Sequence, residues 1–202
     1  MTRLSFREQV FRARKDAIVD SVNRLLADKG FDLMTVDEVA ADAGIAKASL
    51  YKHFASKEAL AAAAMVRLLE RVLEVVQEQA ARADISDFER LQAVVRWALE
   101  LQLAGEMPSV PSQNSSLRAE LIASRPYLDL LLQVSEKLGA WIVQAQAEGL
   151  IDRSLPPEVV LYTVYARACD PVPAFLKVGG SHSDAQILDW VMSMWLHGLR
   201  GR

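Results

Sequence analysis

Cysteine and histidine are scarce in this 202-residue chain, and long apolar runs are absent from it. Cys169 is the single cysteine, which excludes an intramolecular disulfide and a cysteine-based metal cluster. The three histidines, His53, His182 and His197, have no metal-ligand spacing. No apolar run approaches the roughly 18 residues of a membrane span, and no basic-then-apolar leader opens the chain. We therefore expect a cytoplasmic protein with no metal, no cofactor and no membrane partner.

Proline is absent from the first hundred residues, because all seven prolines lie at or after Pro108. That part of the chain therefore contains no obligate helix breaker. Apolar residues recur at helical spacing along most of the sequence, and no useful stretch alternates like a strand. The pattern predicts an all-α fold, with breaks at Gly30, at Gly44, over residues 106–116 and at Gly149.

Charge is slightly acidic overall, at a formal −3, but its distribution is uneven. The first fifteen residues carry five basic side chains against the single acidic Glu8: Arg3, Arg7, Arg12, Arg14 and Lys15. A basic arm on an acidic body favours contact with a polyanion at one end of the molecule. The alternative is a solvated and frayed N-terminus with no partner.

Two short helices separated by one glycine are predicted within residues 35–60, TVDEVAADAGIAKASLYKHFASKEAL. Thr35 and Glu38 have the spacing of a capping box at the start of the first of them. The second, at about residues 46–53, turns Leu50 and Phe54 inward and leaves its polar side chains outside. Helices this short need packing to persist, and one helix fits the DNA major groove. The pattern indicates a helix-turn-helix with residues 46–53 as recognition helix, or else an ordinary helical hairpin with a solvated outer face.

The stretch from about Ile18 to Ala64 resembles the N-terminal domain of the TetR family of bacterial transcriptional regulators. The resemblance is carried by the elements G-F, T-V-x-x-V-A, A-G-I, L-Y-x-H-F and S-K-E-A-L. It implies an all-helical homodimer that binds a palindromic operator in double-stranded DNA through residues 1–60. Residues 61–202 would then form a helical bundle that dimerises and binds a small-molecule effector. The implied function is that of a ligand-responsive repressor, released from DNA by a small apolar compound.

The resemblance also assigns DNA-contact roles to individual residues of the motif. Thr35, Tyr51 and Lys57 match family positions that contact phosphates. Positions at which family members vary, and which therefore select bases, are Lys47, Ala48, Ser49, Lys52 and His53. Lys47 can reach guanine O6 or N7, and Ala48 can touch a thymine methyl group. His53 is favoured as a phosphate donor, with base contact or simple exposure as alternatives, and Ala46 departs from the serine or threonine common at its position.

The last predicted helix, at about residues 184–199, is apolar on most of its circumference. One side carries Trp190, Met194 and His197, and a helix of this kind must be buried on most sides. Together with residues 159–168, which include Tyr162, it predicts a four-helix dimer interface with two helices from each subunit. Burial within a monomer is the alternative.

Large apolar and aromatic side chains of the C-terminal part are candidate walls of an effector pocket. They are Trp97, Met107, Tyr127, Trp141, Tyr162, Tyr165 and Phe175, and core packing is the alternative for each. No nucleophile elbow, phosphate-binding glycine loop or metal motif is present, so we expect no enzyme and no catalytic residue. Two other functions stay open: a helical binding protein whose helix-turn-helix serves a partner other than DNA, and an enzyme without a recognisable motif.

Overall fold

The computed structural model describes residues 5–108 and 116–199, and every regular element in these ranges is an α-helix. The prediction of an all-α fold is confirmed. The helices are α1 Phe6–Leu33, α2 Val36–Asp42, α3 Lys47–Leu50, α4 Lys57–Ala80, α5 Asp87–Leu103, α6 Ser116–Ala123, α7 Arg125–Ala147, α8 Pro157–Ala168, α9 Val172–Val178 and α10 Asp184–Leu199. None of these described helices is both long enough and apolar enough to cross a membrane.

Helix α1 includes most of the basic N-terminal segment. It begins at Phe6 because Ser5 and Glu8 form a capping box, in which the Ser5 hydroxyl accepts from the Glu8 N–H at 3.3 Å. The Glu8 carboxylate in turn accepts from the Ser5 N–H at 2.7 Å. The basic segment is therefore helical from Phe6 onward, and Arg3 lies outside the described residues.

The predicted break at Gly30 is present as a kink inside α1. Gly30 has φ 76° and ψ 174°, a combination that only glycine adopts readily, and three more residues follow before the helix ends at Leu33. The Met34 N–H donates to the Gly30 carbonyl at 3.2 Å, which closes the last turn. Of the predicted break at residues 106–116, residues 109–115 lie outside the described part of the chain.

The chain forms two compact units. The first comprises the described residues up to Leu68 together with those between Pro108 and Leu128. Its core joins α1 to α4, and the α6 residues Leu117 and Leu121 are buried in the same cluster. The division into domains of residues 1–60 and 61–202 stays a prediction, and these compact units divide the chain differently.

The second unit comprises the described residues of 69–107 and 129–202. Its core is built on α5, which packs against α8, α9 and α10. Leu99 of α5, Ile142 of α7 and Ile187 of α10 are completely buried there. The Trp195 indole N–H of α10 donates to the Thr163 hydroxyl of α8 at 3.4 Å, so these two helices are joined by a polar contact as well.

Candidate nucleic-acid interface

Thr35 holds the start of α2 through the predicted capping box. Its hydroxyl accepts from the Glu38 N–H at 3.3 Å, and the Glu38 carboxylate accepts from the Thr35 N–H at 2.9 Å. Lys29 forms an ion pair with the same carboxylate. The hydrogen bond from Lys29, followed by those from Thr35, lowers the pKa of Glu38 to about 2. Thr35 remains exposed, so its hydroxyl can cap the helix and still face a phosphate.

The turn between α2 and α3 depends on Gly44, whose φ of 67° lies in the left-handed region. The chain reverses there, and the Ile45 N–H donates to the Ala40 carbonyl at 3.0 Å. Helix α3 starts after Ala46, which gives no side-chain cap, as its departure from serine or threonine implies. It is anchored by Leu50, which is completely buried.

Helix α3 is shorter than the predicted residues 46–53, and regular α-helix ends at Leu50. The backbone continues as a turn through His53. In that turn the Lys52 N–H donates to the Ser49 carbonyl at 3.2 Å and the His53 N–H to the Leu50 carbonyl at 2.9 Å. The outer side chains of this segment therefore still lie along one continuous helical path.

Two predicted base contacts, Lys47 and Ala48, lie exposed at the start of α3. The Lys47 ammonium is 2.9 Å from a carboxylate oxygen of Asp37 on α2, and this pairing raises the pKa of Lys47. Both partners are largely exposed, and exposed ion pairs of this kind contribute little to stability. Lys47 can therefore leave Asp37 for a base edge at small cost.

The predicted phosphate contacts Tyr51 and Lys57 lie at the end of α3 and the start of α4. Tyr51 is exposed. The Lys57 ammonium lies 4.4 Å from the centre of the Phe31 ring and donates to the Asp32 carbonyl at 3.3 Å. Ser56 caps α4, accepting from the Ala59 N–H at 3.0 Å. Lys57 thus adds its positive charge to a helix N-terminus, where backbone N–H groups favour anions.

The remaining predicted contacts, Ser49, Lys52 and His53, line a cleft of about 340 Å³ together with α1. The α1 side of the cleft is formed by Phe6, Arg7, Val10, Phe11 and Arg14. The Phe11 ring stacks on His53, with centroids 4.3 Å apart. Burial, and then the charges of Arg14 and Lys15, lower the pKa of His53. A neutral imidazole can still donate one hydrogen bond to a phosphate.

The α1 residues of the cleft were not among the individual contact residues predicted from sequence. Arg7, Val10, Phe11 and Arg14 have the i, i+3, i+4, i+7 spacing that places side chains on one helix face. That spacing was available in the sequence, but the contact of this face with His53 joins residues far apart in the chain.

The candidate effector-pocket residues are distributed over both compact units. Trp141 and Tyr165 pack in the core of the second unit, and the Tyr165 hydroxyl is 2.6 Å from the Ser135 hydroxyl. Trp97 and Met107 are half-buried, whereas Tyr162 and Phe175 are exposed. Tyr127 packs against the core of the first unit. The pocket itself stays a prediction.

The candidate dimer residues lie on the exposed sides of α8 and α10. Met194 is 76% exposed, Tyr162 69% and Trp190 45%, and His197 is exposed as well. The opposite side of α10 supplies Ile187, Val191 and Trp195 to the core.

In the described residues, no group of three or more histidine, cysteine, aspartate or glutamate side chains is placed to hold a metal ion.

Sequence comparisons find relatives of the N-terminal segment. Residues 18–64 match the family described as bacterial regulatory proteins, tetR family. Over 47 residues the chain is 47% identical to the uncharacterized HTH-type transcriptional regulator YerO of Bacillus subtilis, which covers 23% of this chain and 16% of YerO. Over 46 residues it is 46% identical to IcaR of Staphylococcus aureus, the HTH-type negative transcriptional regulator of the biofilm operon icaADBC, which covers 23% of this chain and 25% of IcaR. These two matches thus span a quarter or less of the length of YerO and of IcaR.

Comparison with solved structures extends the likeness to nearly the whole chain. The fatty acid degradation regulator FadR from Bacillus halodurans superposes with a TM-score of 0.68 at 19% sequence identity. The superposition covers 94% of this chain and 97% of FadR. At this identity the likeness shows a shared fold.

Proposed function

We propose that this chain, which belongs to the TetR family of bacterial regulatory proteins by its residues 18–64, is a ligand-responsive DNA-binding transcriptional regulator. It binds a palindromic operator as a homodimer in the cytoplasm, represses transcription there, and is released by a small apolar effector. The same proposal makes it a regulator rather than an enzyme. Repression agrees with the relative IcaR, which is a negative transcriptional regulator.

The exposed face of α3 is the observation that carries the DNA-binding proposal. Leu50 is completely buried, while Lys47, Ala48, Tyr51 and Lys52 point away from the core. A single helical path with a cation at each end and a phenol between them offers donors for base edges and phosphates. Lys57 and the capped start of α4 offer a further phosphate site beside it.

The apolar residues exposed on α8 and α10 support the homodimer. A palindromic operator requires two recognition helices about 34–36 Å apart, which a two-fold symmetric dimer supplies. Tyr162, Trp190 and Met194 give each subunit an uncovered apolar surface, and a two-fold axis places the same surface of both subunits in contact.

The effector proposal rests on the aromatic and apolar character of the second unit. An effector that favours a dimer geometry unsuited to the operator weakens DNA binding. Linkage then requires the operator to weaken effector binding by the same factor, typically 5–150-fold. Calorimetry of a candidate effector with and without operator tests this, because equal affinity in both titrations removes that compound as an inducer.

Duplex binding measured across a range of salt concentrations tests the proposed function. We expect sequence-specific binding whose affinity falls steeply with salt. Lys57→Ala and Tyr51→Phe should weaken binding about equally for all operator variants, because phosphate contacts position the protein without selecting sequence. A helix-turn-helix that serves a partner other than DNA would instead give no sequence-specific duplex binding at any salt concentration.

A further inference from the structure

The first turns of α1 extend the candidate DNA surface beyond the helix-turn-helix. Helix α1 begins at Phe6, whereas the family match begins at residue 18, so about three helical turns precede the matched segment. The face of these turns that carries Arg7 and Arg14 forms one wall of the cleft whose other wall is Ser49, Lys52 and His53.

The lining of this cleft has the chemistry of an anion site. Three of its side chains, Arg7, Arg14 and Lys52, are basic, and none of the lining residues is acidic. Ser49 and His53 add a hydroxyl and an imidazole that can donate hydrogen bonds. Guanidinium groups suit phosphate oxygens in particular, because their planar fork donates two parallel hydrogen bonds.

The two arginines are available for a ligand. Within residues 5–108 and 116–199, neither Arg7 nor Arg14 forms an ion pair with another described residue. Other arginines of the same unit are engaged: Arg24 lies 2.6 Å from an Asp42 carboxylate oxygen, and Arg67 lies 2.6 Å from one of Asp16. The charges of Arg7 and Arg14 are thus not paired with a carboxylate of the described residues.

Apolar contacts fix the position of these arginines relative to α3. The Phe11 ring lies between Arg7 and Arg14 along the helix face and stacks on His53 at 30° between the ring planes. His53 also has its Nδ1 atom buried without a hydrogen-bond partner among the described residues. A change in the position of α1 would break this stack, so Phe11 acts as a positioning residue for the basic face.

We propose that the cleft between the first turns of α1 and the end of α3 binds phosphodiester oxygens of the operator strand that flanks α3, with Arg7 and Arg14 as the phosphate ligands. The proposal rests on the proposed DNA-binding function and adds an interface outside the matched family segment. The occupant is a DNA strand because Ser49 and Lys52 belong to the segment that enters the major groove. A strand that borders that groove therefore passes the mouth of the cleft.

Salt-dependent operator binding by the full-length chain tests this assignment. Arg7→Ala, Arg14→Ala and the double variant are compared with Arg12→Ala, which removes the same charge from the same helix but not from the cleft lining. Each cleft substitution removes two phosphate contacts from a dimer, so the slope of log affinity against log salt should fall by about 1.8, and by about 3.6 in the double variant. Arg12→Ala should leave the slope unchanged, and thermal unfolding of each variant should match the wild type.

Two outcomes would overturn the proposal. First, Arg7→Ala and Arg14→Ala could leave the slope of log affinity against log salt unchanged, even where affinity falls, which would give the arginines a structural role only. Second, Arg12→Ala could lower the slope as much as they do, which would make α1 a general basic surface. Failure of the wild type to bind any duplex would instead refute the proposed function.

Discussion

The ring of Phe11 on α1 lies over the imidazole of His53 just after α3, with the ring centroids 4.3 Å apart and the planes inclined by 30°. Phe11 belongs to α1 and His53 to the turn after α3, and their stack covers a side chain of the recognition segment. Burial is the main cause of the lowered pKa of His53, and repulsion from Arg14 and Lys15 adds to it. Phe11 is one of the residues that bury this imidazole.

Removing this cover should raise the pKa of His53 towards its ordinary value of 6.5. We expect the increase in Phe11→Ala, where the imidazole becomes solvated, and in Arg14→Ala, where a repelling charge is lost. Phe11→Tyr keeps the aromatic cover and Arg12→Ala removes a charge that does not act on His53, so both serve as controls. NMR titration of the imidazole gives the pKa directly. An identical His53 pKa in Phe11→Ala and the wild type would contradict the assigned role of the stack.

Glu38 should make the stability of the protein depend on acid pH. Its pKa is about 2 in the folded protein against an ordinary 4.5, so the unfolded chain binds more protons between these values. The stability contributed by its bonds to Lys29 and Thr35 is therefore present above pH 4.5 and lost as the pH falls towards 2. In urea unfolding at a series of pH values, Glu38→Gln should lose less stability across this range than the wild type.

The matched control for Glu38→Gln is Thr35→Ser, which keeps the hydroxyl that closes the capping box. It should retain the acid-dependent loss of the wild type. Parallel pH profiles for the wild type and Glu38→Gln would show that the carboxylate does not bind Lys29 and Thr35 in solution as it does here.

Asp37 restrains a side chain that is predicted to select bases. Its carboxylate pairs with Lys47 at 2.9 Å, so Asp37→Asn should release Lys47 and remove a negative charge beside DNA, which tightens operator binding. Asp28→Asn, which makes the same charge change at an exposed position of α1, is the control for Asp37→Asn.

Lys47→Ala should relax base preference at one position in each half-site, at a cost on the order of 1–3 kcal/mol against the preferred base. Equal weakening of binding to all operator variants by Lys47→Ala would make Lys47 a phosphate contact instead.

A charge on the exposed face of α10 should dissociate the proposed dimer. Met194→Glu would place an ion in an apolar interface, where an unpaired charge is costly. Light scattering should then report a monomer or an aggregate. Val143→Glu introduces the same charge at another exposed apolar position, on α7, and should leave the dimer intact. A stable dimer of Met194→Glu would move the interface to another surface.

The spacing of apolar residues predicted most helices, and local signals at their ends predicted where several of them begin or end. The predicted capping box of Thr35 and Glu38 forms in the structure, and Ser86 and Glu89 form another at the start of α5. Gly44 and Gly149 stand at predicted breaks with φ values of 67° and 76°. The bounds of α10 follow from its dense apolar run between residues 184 and 199.

The helices whose presence or bounds were not predicted correctly have sequence features that are compatible with two different structures. Helix α9 follows Pro171 and contains Pro173, and these prolines indicate an end of helix although proline also fits a first helical turn. The apolar pattern of helix α3 continues through Phe54, but regular helix ends at Leu50. The prediction was too long because isolated turns after a helix keep nearly the same spacing of apolar residues. The start of α1 was missed although Ser5 and Glu8 have capping-box spacing.

The candidate site was predictable only as far as it follows one continuous motif. Residues 35–57 supply both the helix-turn-helix and its contacts, and the family resemblance names them. The cleft joins Phe11 to His53, a contact that no local pattern indicates. The effector pocket stays a prediction, and two of its candidate residues, Trp141 and Tyr127, pack in the cores of different units.

Selection of bound duplexes from a random DNA pool tests the central claim of sequence-specific operator binding most directly. The full-length wild-type protein should enrich one palindromic sequence whose half-site centres lie about one helical turn, or a whole multiple of it, apart. Lys57→Ala should enrich the same sequence with lower yield, and Lys47→Ala should enrich it with one position per half-site relaxed. A pool that stays random after repeated rounds at low salt, with the protein folded, would contradict the proposal that this chain is a DNA-binding regulator.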